Sequence, residues 1–478
     1  MALVHIMIID FERKEQELKD IIAKKDIKTL RSFCDSFEPV DLAEIANQLQ
    51  PLDLLFVFKT VTSEYTAEVF TYLDQQVQEN LLNLFTDKQV MELIENTFSD
   101  DIADFLEDMP ANLVSKVLDK ADKATRNDIN LLLNYKPETA GSILTREYIE
   151  LKENLSVSDA LDKIRKIGKD AITIHSTFVI DAKRNLVGVL YIEDLLFARP
   201  DEKIGDVCEK DFITVQVNDD QEHVASVFQR YDRNVIPVLN TDHKLVGVIT
   251  VDDIIDVISD EVSEDIEKMA AVTPLEKSYR ESSTLTLVKS SAPWILILMV
   301  LGAFSTFILN RFEENIASVI IMSTFIPLLL NTAGNSGTQS AALVTRSLTL
   351  KEYDKSEYGL IIWKELRIAF VVGIVVALFA LVMINLEFII GIVRLSEIDG
   401  VMLAKWSEDW WRETIKVSVT ISLTLFVAIT IAKLVGASLP IIAKLVKLDP
   451  ALMANPLVTT TVDIVVLVLY FGFIAILF

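Results

Sequence analysis

Apolar residues follow three different patterns along the chain, and each pattern predicts a different kind of element. Over residues 1–135 they recur three and four positions apart, as in amphipathic helices, and no glycine interrupts the pattern. From about residue 140, short β-branched runs alternate with helical stretches. After residue 290 there are long apolar runs with few charges. The pattern predicts a multidomain chain that is helical, then α/β, then membrane-spanning and all-α.

Two short segments of the first region resemble each other. Asp41-Leu-Ala-Glu-Ile-Ala leads to Pro51, and Asp101-Ile-Ala-Asp-Phe-Leu leads to Pro110. A weak repeat of short amphipathic helices is typical of a small α-solenoid. We therefore expect an all-α N-terminal superhelical domain over residues 1–138, with an ordinary helical bundle as the alternative.

The second region contains a clear internal repeat. Residues 187–196 read VGVLYIEDLL and return, 59 positions later, as VGVITVDDII at residues 246–255. Each copy follows a turn and begins a helix. This repeat resembles a tandem pair of CBS domains, which we place at residues 139–258. The resemblance implies a cleft between the copies that binds an adenine nucleotide such as ATP.

The resemblance to CBS domains also implies which residues contact the ribose. The family's Thr-x-x-Asp motif is Thr250 and Asp253 in the second copy, whereas in the first copy Tyr191 replaces the threonine and Asp194 is kept. A carboxylate at a helix start suits both ribose hydroxyls. Two interpretations stay open, because the pair can also be purely structural or metal-responsive.

Five apolar segments beyond residue 290 predict membrane helices, each of which needs about 20 residues. They lie at about 292–310, from 316 into a polar stretch, 368–386, 417–439 and 455–478. Basic residues, Lys433 among them, are concentrated on one side, and no signal peptide is recognisable. We expect a multi-pass protein of the cell inner (plasma) membrane with cytosolic N-terminal domains, a connecting segment over residues 259–290 and a transmembrane pore domain over residues 291–478.

Charge separates the two halves further. The net charge is −25, of which −24 falls in residues 1–290 and −1 in residues 291–478. So acidic a chain lacks the basic face that a nucleic-acid partner requires. Cys34 and Cys208 have no other cysteine or histidine at ligand spacing, so a disulfide framework or zinc site is not expected.

Two polar features stand out within the apolar segments. Asp463 lies in the last segment, which has no basic residue and begins near Asn455-Pro456. In the second segment, Pro327 and residues 331–339 predict a broken helix whose free backbone lines water. Together these features favour an ion path. The alternatives are a structural hydrogen bond from a serine or threonine to Asp463, and close helix packing through small residues.

Both features occur in motifs that resemble the MgtE family of magnesium channels and transporters along essentially the whole chain. One motif is Pro327 with GNSGTQ at residues 334–339, and the other is DPALMANPLV at residues 449–458 followed by Asp463. The resemblance implies Mg²⁺ uptake by a homodimer in the lipid bilayer. It assigns Pro327, Gly334, Asn335 and Gln339 to the pore lining.

The pore site implied by the resemblance is centred on Asp463. Asn455 and the backbone carbonyl of Thr459 complete it, and the sequence departs from the family at Thr459 and Ala333, where alanine and glycine are common. Mg²⁺ gives up its water reluctantly, so a carboxylate that binds the hydrated ion suits it. Two facing copies of Asp463 balance one divalent cation, which fits a homodimer.

The resemblance further implies that cytosolic Mg²⁺ closes the pore by bridging carboxylates of the N domain, the CBS pair and a connecting "plug" helix. The family's sensor positions resemble the following residues: Asp220, Glu222, Asp232, Asp253, Asp256, Glu261, Glu264 and Asp265, with Asp449 on the membrane side. Glu68, Asp100 and Asp104 are further candidates in the N domain. Asp253 is thereby assigned both to ribose and to metal.

Other functions remain alternatives to a magnesium channel. A CBS-regulated secondary transporter of another divalent cation, such as Mn²⁺ or Co²⁺, is the second interpretation. A membrane-anchored nucleotide sensor without transport is the third, although it would not need Asp463. We do not expect an enzyme, because none of the four histidines lies in an apolar segment and no nucleophile–base spacing is present.

Overall fold

The computed structural model describes residues 2–107, 109–275, 279, 282–312, 320–393, 397–398, 401–402, 406–453 and 455–477. The chain divides into two compact units, Met1–Ser259 and Asp260–Phe478. The first contains the N-terminal helices and the α/β region, and the second contains the long apolar helices.

Short helices build the N-terminal region, as the apolar spacing predicts. They are α1 (Ala2–Lys24), α2 (Ile27–Cys34), α3 (Pro39–Ala46), α4 (Pro51–Phe58), α5 (Ser63–Thr71), α6 (Gln75–Leu84), α7 (Asp87–Glu95), α8 (Ser99–Glu107), α9 (Ala111–Lys120) and α10 (Lys123–Leu132). The side chains of Asp26, Thr62, Thr86 and Asp122 accept N–H groups from the first turns of α2, α5, α7 and α10. These caps satisfy amides that such short helices leave free.

The N-terminal helices stack in order along the chain. α3 packs on α5, α5 on α7, α7 on α9, α4 on α6 and α8 on α10. One apolar core runs through them from Leu18 to Ile129. The predicted all-α domain is confirmed, and packing between helices two apart favours the solenoid over the bundle.

The α/β region contains two copies of one arrangement. The first consists of β1 (Glu150–Lys152), α11 (Val157–Ile167), β2 (Ser176–Ile180), β3 (Leu186–Tyr191), α12 (Ile192–Phe197) and α13 (Ile204–Val207). The second consists of β4 (Val215–Gln216), α14 (Gln221–Tyr231), β5 (Val235–Leu239), β6 (Leu245–Thr250) and the start of α15 (Val251–Met269). Each copy forms a three-stranded sheet in chain order, with its first pair parallel and its second antiparallel.

Equivalent glycines explain why the repeat keeps its Val-Gly-Val core. A Cβ on Gly188 would lie 2.8 Å from the carbonyl oxygen of Glu209, and one on Gly247 would lie 2.8 Å from that of Thr145. In each copy that neighbouring backbone pairs with the strand beside the glycine. The glycine is needed because a crossing backbone segment approaches the strand too closely for any side chain.

Six described helices follow α15. They are α16 (Thr284–Arg311), α17 (Ile320–Ser323), α18 (Ile326–Thr349), α19 (Tyr358–Ile390), α20 (Glu408–Leu445) and α21 (Asn455–Leu477), with a hairpin of β7 (Glu397–Ile398) and β8 (Val401–Met402) before α20. Within the expected connecting segment 259–290, helix is present up to Met269 and again from Thr284.

Four of the described helices, α16, α19, α20 and α21, are long and apolar enough to cross a membrane. They correspond to the first, third, fourth and fifth predicted segments. The second predicted segment begins at residue 316, which lies outside the described residues. Its polar end forms α18, which is too polar to be counted among the four membrane-spanning candidates.

Candidate ion pathway and acidic cluster

Four residues of α18 form an exposed line on one face, here called the polar stripe. Pro327, Asn331, Asn335 and Gln339 are four positions apart and all exposed. The Nδ2 group of Asn335 donates to Oδ1 of Asn331 over 3.2 Å. The expected break in this helix is wrong, because α18 is continuous through the whole segment. Side-chain amides, and not free backbone groups, therefore provide its polarity.

The buried side of α18 is made of small residues and packs closely on two helices. Ala333 is fully buried. A Cβ on Gly334 would lie 3.1 Å from Cγ2 of Thr459 in α21, and one on Gly436 of α20 would lie 2.1 Å from the carbonyl oxygen of Gly337. Gly334, expected to line a pore, thus lies against α21 in this chain and spaces the two helices.

The last helix holds the carboxylate that the sequence singles out. α21 begins at Asn455, and the Thr459 hydroxyl donates to the Asn455 carbonyl at 2.8 Å. One turn later, Asp463 is half-buried, and its enclosed Oδ1 has no hydrogen-bond partner among the described residues. An enclosed carboxylate oxygen without a hydrogen-bond partner is energetically unfavourable in a membrane domain. Its environment therefore favours a bound cation or a cation's water shell.

Two contacts show how α21 runs beside α18. The Tyr470 hydroxyl donates to the Met322 carbonyl, just before α18, at 2.8 Å, whereas Gly334 meets Thr459 further along. Residue numbers therefore rise on one helix as they fall on the other, and the helices are antiparallel. One turn from the Gly334 contact, Asp463 lies level with the polar stripe.

Asp449, expected to bind metal, is paired with a lysine. Its Oδ2 accepts a hydrogen bond from Lys268 Nζ at 2.8 Å, and the same ammonium lies 2.7 Å from Oε1 of Glu264. Burial lowers the pKa of Lys268, but these two carboxylates raise it more, so the net shift is upward. The ammonium thus bridges the end of α15 to the segment before α21, as a metal ion would.

Two buried charges in the second unit were not among the expected site residues. Glu365 of α19 is 5% exposed, and Lys433 of α20 is 3% exposed. The Ser340 hydroxyl of α18 donates to Oε2 of Glu365. The signal for Lys433 is its place inside the predicted segment 417–439, where an ionisable residue indicates a special role. When basic residues are counted on each side of the membrane, Lys433 is instead assigned to a loop.

In the first unit, α8 lies against the residues that follow β6, and carboxylates concentrate there. Burial raises the pKa of Asp100, of Asp253 and of Asp101, that of Asp101 to about 7. Asp100 Oδ1 has no partner among the described residues. The acidic cluster comprises these residues: Asp100, Asp101, Asp104, Glu147, Asp252 and Asp253. Mutual repulsion adds to burial, so the cluster stores unfavourable charge.

Tyr72 brings two further expected residues to the same region. Tyr72 is 57% exposed, and its pKa is raised by partial burial and then by the negative charge of four carboxylates: Asp101, Glu68, Asp252 and Asp256. The structure therefore gathers five of the expected sensor residues between the N domain and the second CBS copy: Glu68, Asp100, Asp104, Asp253 and Asp256. It adds three that the sequence did not single out: Asp101, Glu147 and Asp252.

The remaining expected sensor residues lie elsewhere. Asp220 caps the start of α14 by accepting the Glu222 N–H at 3.0 Å, and Asp232 ends the same helix with a φ of 49°. They flank the 11 residues of α14 and are therefore about 18 Å apart along its axis. Glu261 and Asp265 lie on α15, in the second unit. Nowhere in the described part of the chain are three His, Cys, Asp or Glu side chains arranged to hold one metal ion.

The two CBS copies differ as nucleotide sites. In the second, the Thr250 hydroxyl donates to Asp253 Oδ2 at 2.7 Å and holds the carboxylate at the start of α15. In the first, Asp194 borders an open cavity of about 560 Å³ together with Glu202 and Asp206. Tyr191 stands there in the position of the threonine, so no equivalent hydroxyl holds the Asp194 carboxylate. The second copy is therefore the better candidate.

A helical N domain, a CBS pair and a unit of long apolar helices together are the architecture of a family of cation transporters. Residues 326–473 match the MgtE family of divalent cation transporters, residues 37–138 match the MgtE intracellular N domain, and residues 140–201 and 204–260 match CBS domains. The chain belongs to the MgtE family. The predicted family and fold class are confirmed.

Similar proteins cover nearly the whole chain. The magnesium transporter MgtE of Thermus thermophilus is 29% identical over 96% of this chain and 97% of its own length. The magnesium transporter MgtE of Bacillus subtilis is 30% identical over 90% of this chain and 93% of its own length. A solved cytosolic domain of the Mg²⁺ channel MgtE in complex with ATP is 30% identical, with a TM-score of 0.48 over 51% of this chain and 99% of that chain. The family is one of divalent cation transporters, and both of these curated relatives are magnesium transporters.

Proposed function

We propose that the chain forms a homodimeric magnesium channel of the cell inner membrane, with its N-terminal domains in the cytosol. Mg²⁺ passes between two copies of the polar stripe and of Asp463. The supporting observation is the enclosed, unpartnered carboxylate oxygen of Asp463 at the level of the stripe. Amide side chains suit a hydrated ion, because they bind its water without stripping it. Two facing carboxylates balance one Mg²⁺.

Asn455 and the carbonyl of Thr459 extend this site toward the start of α21. The Thr459 hydroxyl is turned back to the Asn455 carbonyl at 2.8 Å. It therefore does not compete with Asp463 for the ion's water, and the departure from the family's alanine leaves the site intact.

Mg²⁺ influx into liposomes containing the purified protein tests the pore. We expect Asp463→Asn to lower influx at least about tenfold, equivalent to about 1.4 kcal/mol, because the amide keeps the shape and removes the charge. Asp409→Asn, an exposed position in the first turn of α20, is the matched control. Wild-type influx from Asp463→Asn would contradict the proposal.

The same assay separates the channel from its alternative. Influx that needs no proton or Na⁺ gradient, and that favours Mg²⁺, supports the channel. A gradient requirement, or a preference for Mn²⁺ or Co²⁺, supports a secondary transporter of another divalent cation.

We further propose that cytosolic Mg²⁺ closes the pore by binding at the acidic cluster. Two unit charges about 4 Å apart interact by roughly 4 kcal/mol at an effective dielectric of 20, so a divalent cation relieves substantial repulsion there. The cation draws α8 toward the first turn of α15, and preferential binding to this arrangement drives closure. The remaining sensor candidates extend this response: Asp220, Glu222, Asp232, Glu261, Glu264, Asp265 and Asp449.

Hydrogen exchange of the full-length protein tests the sensor. We expect millimolar Mg²⁺ to slow exchange of the α8 amides in the wild type and not in Asp100→Asn/Asp101→Asn. The control Asp201→Asn/Asp242→Asn removes two exposed carboxylates of the same unit and should respond like the wild type. Equal protection in both double variants would contradict sensing by the cluster.

We also propose that an adenine nucleotide such as ATP binds the second CBS copy through Thr250 and Asp253. Because Asp253 belongs to the acidic cluster as well, nucleotide and regulatory Mg²⁺ affect each other's binding. Calorimetry should show weaker ATP binding by Thr250→Val and unchanged binding by Asp194→Asn. Equal affinity of Thr250→Val and the wild type would assign the nucleotide elsewhere.

A further inference from the structure

The buried charges of the second unit lie in one layer of the helix bundle. An apolar cluster joins two buried residues from each of three helices, and it includes Val344 of α18, Ile361 of α19 and Ala437 of α20. One helical turn further along the bundle, the corresponding residues are Ser340 on α18, Glu365 on α19 and Lys433 on α20.

The direction of the helices supports this register. A Cβ on Gly373 of α19 would lie 3.0 Å from Phe426 of α20, and Ile361 of α19 clusters with Ala437 of α20. The numbers fall on α19 as they rise on α20, so these helices are antiparallel. Four residues beyond Ile361 and four before Ala437, the chain reaches the two charges at one level.

Burial makes this layer energetically important. Ser340 is fully buried, and the side chains of Glu365 and Lys433 are almost fully buried. The Ser340 hydroxyl donates to Glu365 Oε2, whereas no hydrogen bond or ion pair joins Lys433 to Glu365 or to another described residue. A single charge in such a place is costly, but opposite charges in one layer offset each other.

We propose that Glu365 and Lys433 compensate each other across this layer and, with Ser340, fix the height of α18 against α19 and α20. Gln339 immediately precedes Ser340 on α18, and Asn335 lies five residues before it, so the layer positions the polar stripe relative to Asp463. Glu365 and Lys433 are thus positioning residues for ion passage. This last step rests on the proposed magnesium channel, but the compensation itself does not.

Thermal unfolding of the full-length protein in detergent tests the compensation. We expect Glu365→Gln and Lys433→Met each to lower the midpoint, because each leaves one buried charge alone, and we expect the double variant to recover most of the loss. The control pair Glu408→Gln and Lys364→Met makes the same changes at exposed positions of α20 and α19 and should show no coupling. A double variant no better than the sum of its singles would overturn the inference.

Ion influx into liposomes tests positioning separately from stability. In the folded double variant we expect a changed ratio of Mg²⁺ to Co²⁺ influx, normalised to protein, while the control double variant keeps the wild-type ratio. An unchanged ratio would overturn the positioning role. If the wild type itself admits no Mg²⁺, the proposed channel fails, whereas the unfolding data still decide whether the two charges compensate each other.

Discussion

At the scale of single residues, Gly436 sets the distance between α18 and α20. A Cβ at this position would lie 2.1 Å from the Gly337 carbonyl oxygen. We expect Gly436→Ala to lower the free energy of unfolding by about 1–3 kcal/mol, because the backbones must move apart. Gly472→Ala in α21, where nothing lies within 4 Å of the added Cβ, is the control. Thermal unfolding measures both, and equal midpoints would contradict this packing.

Single residues also show which functional positions can be predicted from the sequence alone. Asp463 can be identified because a carboxylate among apolar residues is conspicuous. Lys433 carries the same signal, as an ionisable residue within segment 417–439. Gly436 cannot be identified in this way, since its importance depends on which face of α20 meets α18. Asp101 is similarly hidden, because nothing in the acidic first half distinguishes it before the fold places α8 against the second CBS copy.

At the scale of elements, the contact between α8 and α15 should depend on pH. The pKa of Asp101 is raised in the fold from 3.8 to about 7. Between these values the native state holds a proton that the unfolded chain has released, so stability falls as pH rises through this window. In the presence of a metal chelator, we expect the midpoint of thermal unfolding to decrease as the pH rises over this range. The decrease should be smaller in Asp101→Asn. If the unfolding midpoint of the wild type and that of Asp101→Asn changed equally with pH, Asp101 would not be the titrating group.

Lys268 gives the end of α15 a contact that needs no metal. Its ammonium already bridges Glu264 and Asp449, so Lys268→Met leaves two carboxylates that only a bound cation can bring together. If this contact belongs to the closed channel, the variant should need more Mg²⁺ for half-maximal inhibition of influx. Lys289→Met, at an exposed position of α16, should not. Equal inhibition in both variants would contradict this role.

The elements themselves were largely predictable, with one informative exception. The spacing of apolar residues predicted the N-terminal helices, and the 59-residue repeat predicted two equivalent sheets. The break expected in α18 does not occur, because Pro327 lies in the first turn, where a proline removes no helical hydrogen bond. The Asn331 and Asn335 side chains bond to each other along the helix surface. The glycines are tolerated since they face α20 and α21 at close range.

At the scale of the whole molecule, the proposed homodimer can be tested by cross-linking. If two polar stripes face each other, Asn335→Cys should give dimers with a short bis-maleimide in membranes. Phe370→Cys, on an exposed face of α19, should remain monomeric under the same conditions, and both native cysteines are buried. Equal yields from the two variants would place the stripe away from a dimer axis.

The distribution of charge between the two halves was visible in the sequence, but its grouping was not. Asp100 and Asp253 are far apart along the chain, and only the packing of α8 on the second CBS copy brings them together. The sequence also suggested one set of sensors, whereas Asp220 and Asp232 lie at opposite ends of α14. Long-range pairing of this kind depends on tertiary packing, which local spacing does not encode.

The polar stripe has a geometric consequence for the channel. Four residues rotate an α-helix by about 400°, so each member of the stripe lies about 40° further round α18 than the last. Such a line follows a ridge inclined by about 26° to the helix axis, and two helices that meet along these ridges cross at about 50°. Two facing copies of α18 would therefore approach each other at one level and diverge on either side. The passage between them would have a single waist, with wider vestibules in which the ion keeps its water.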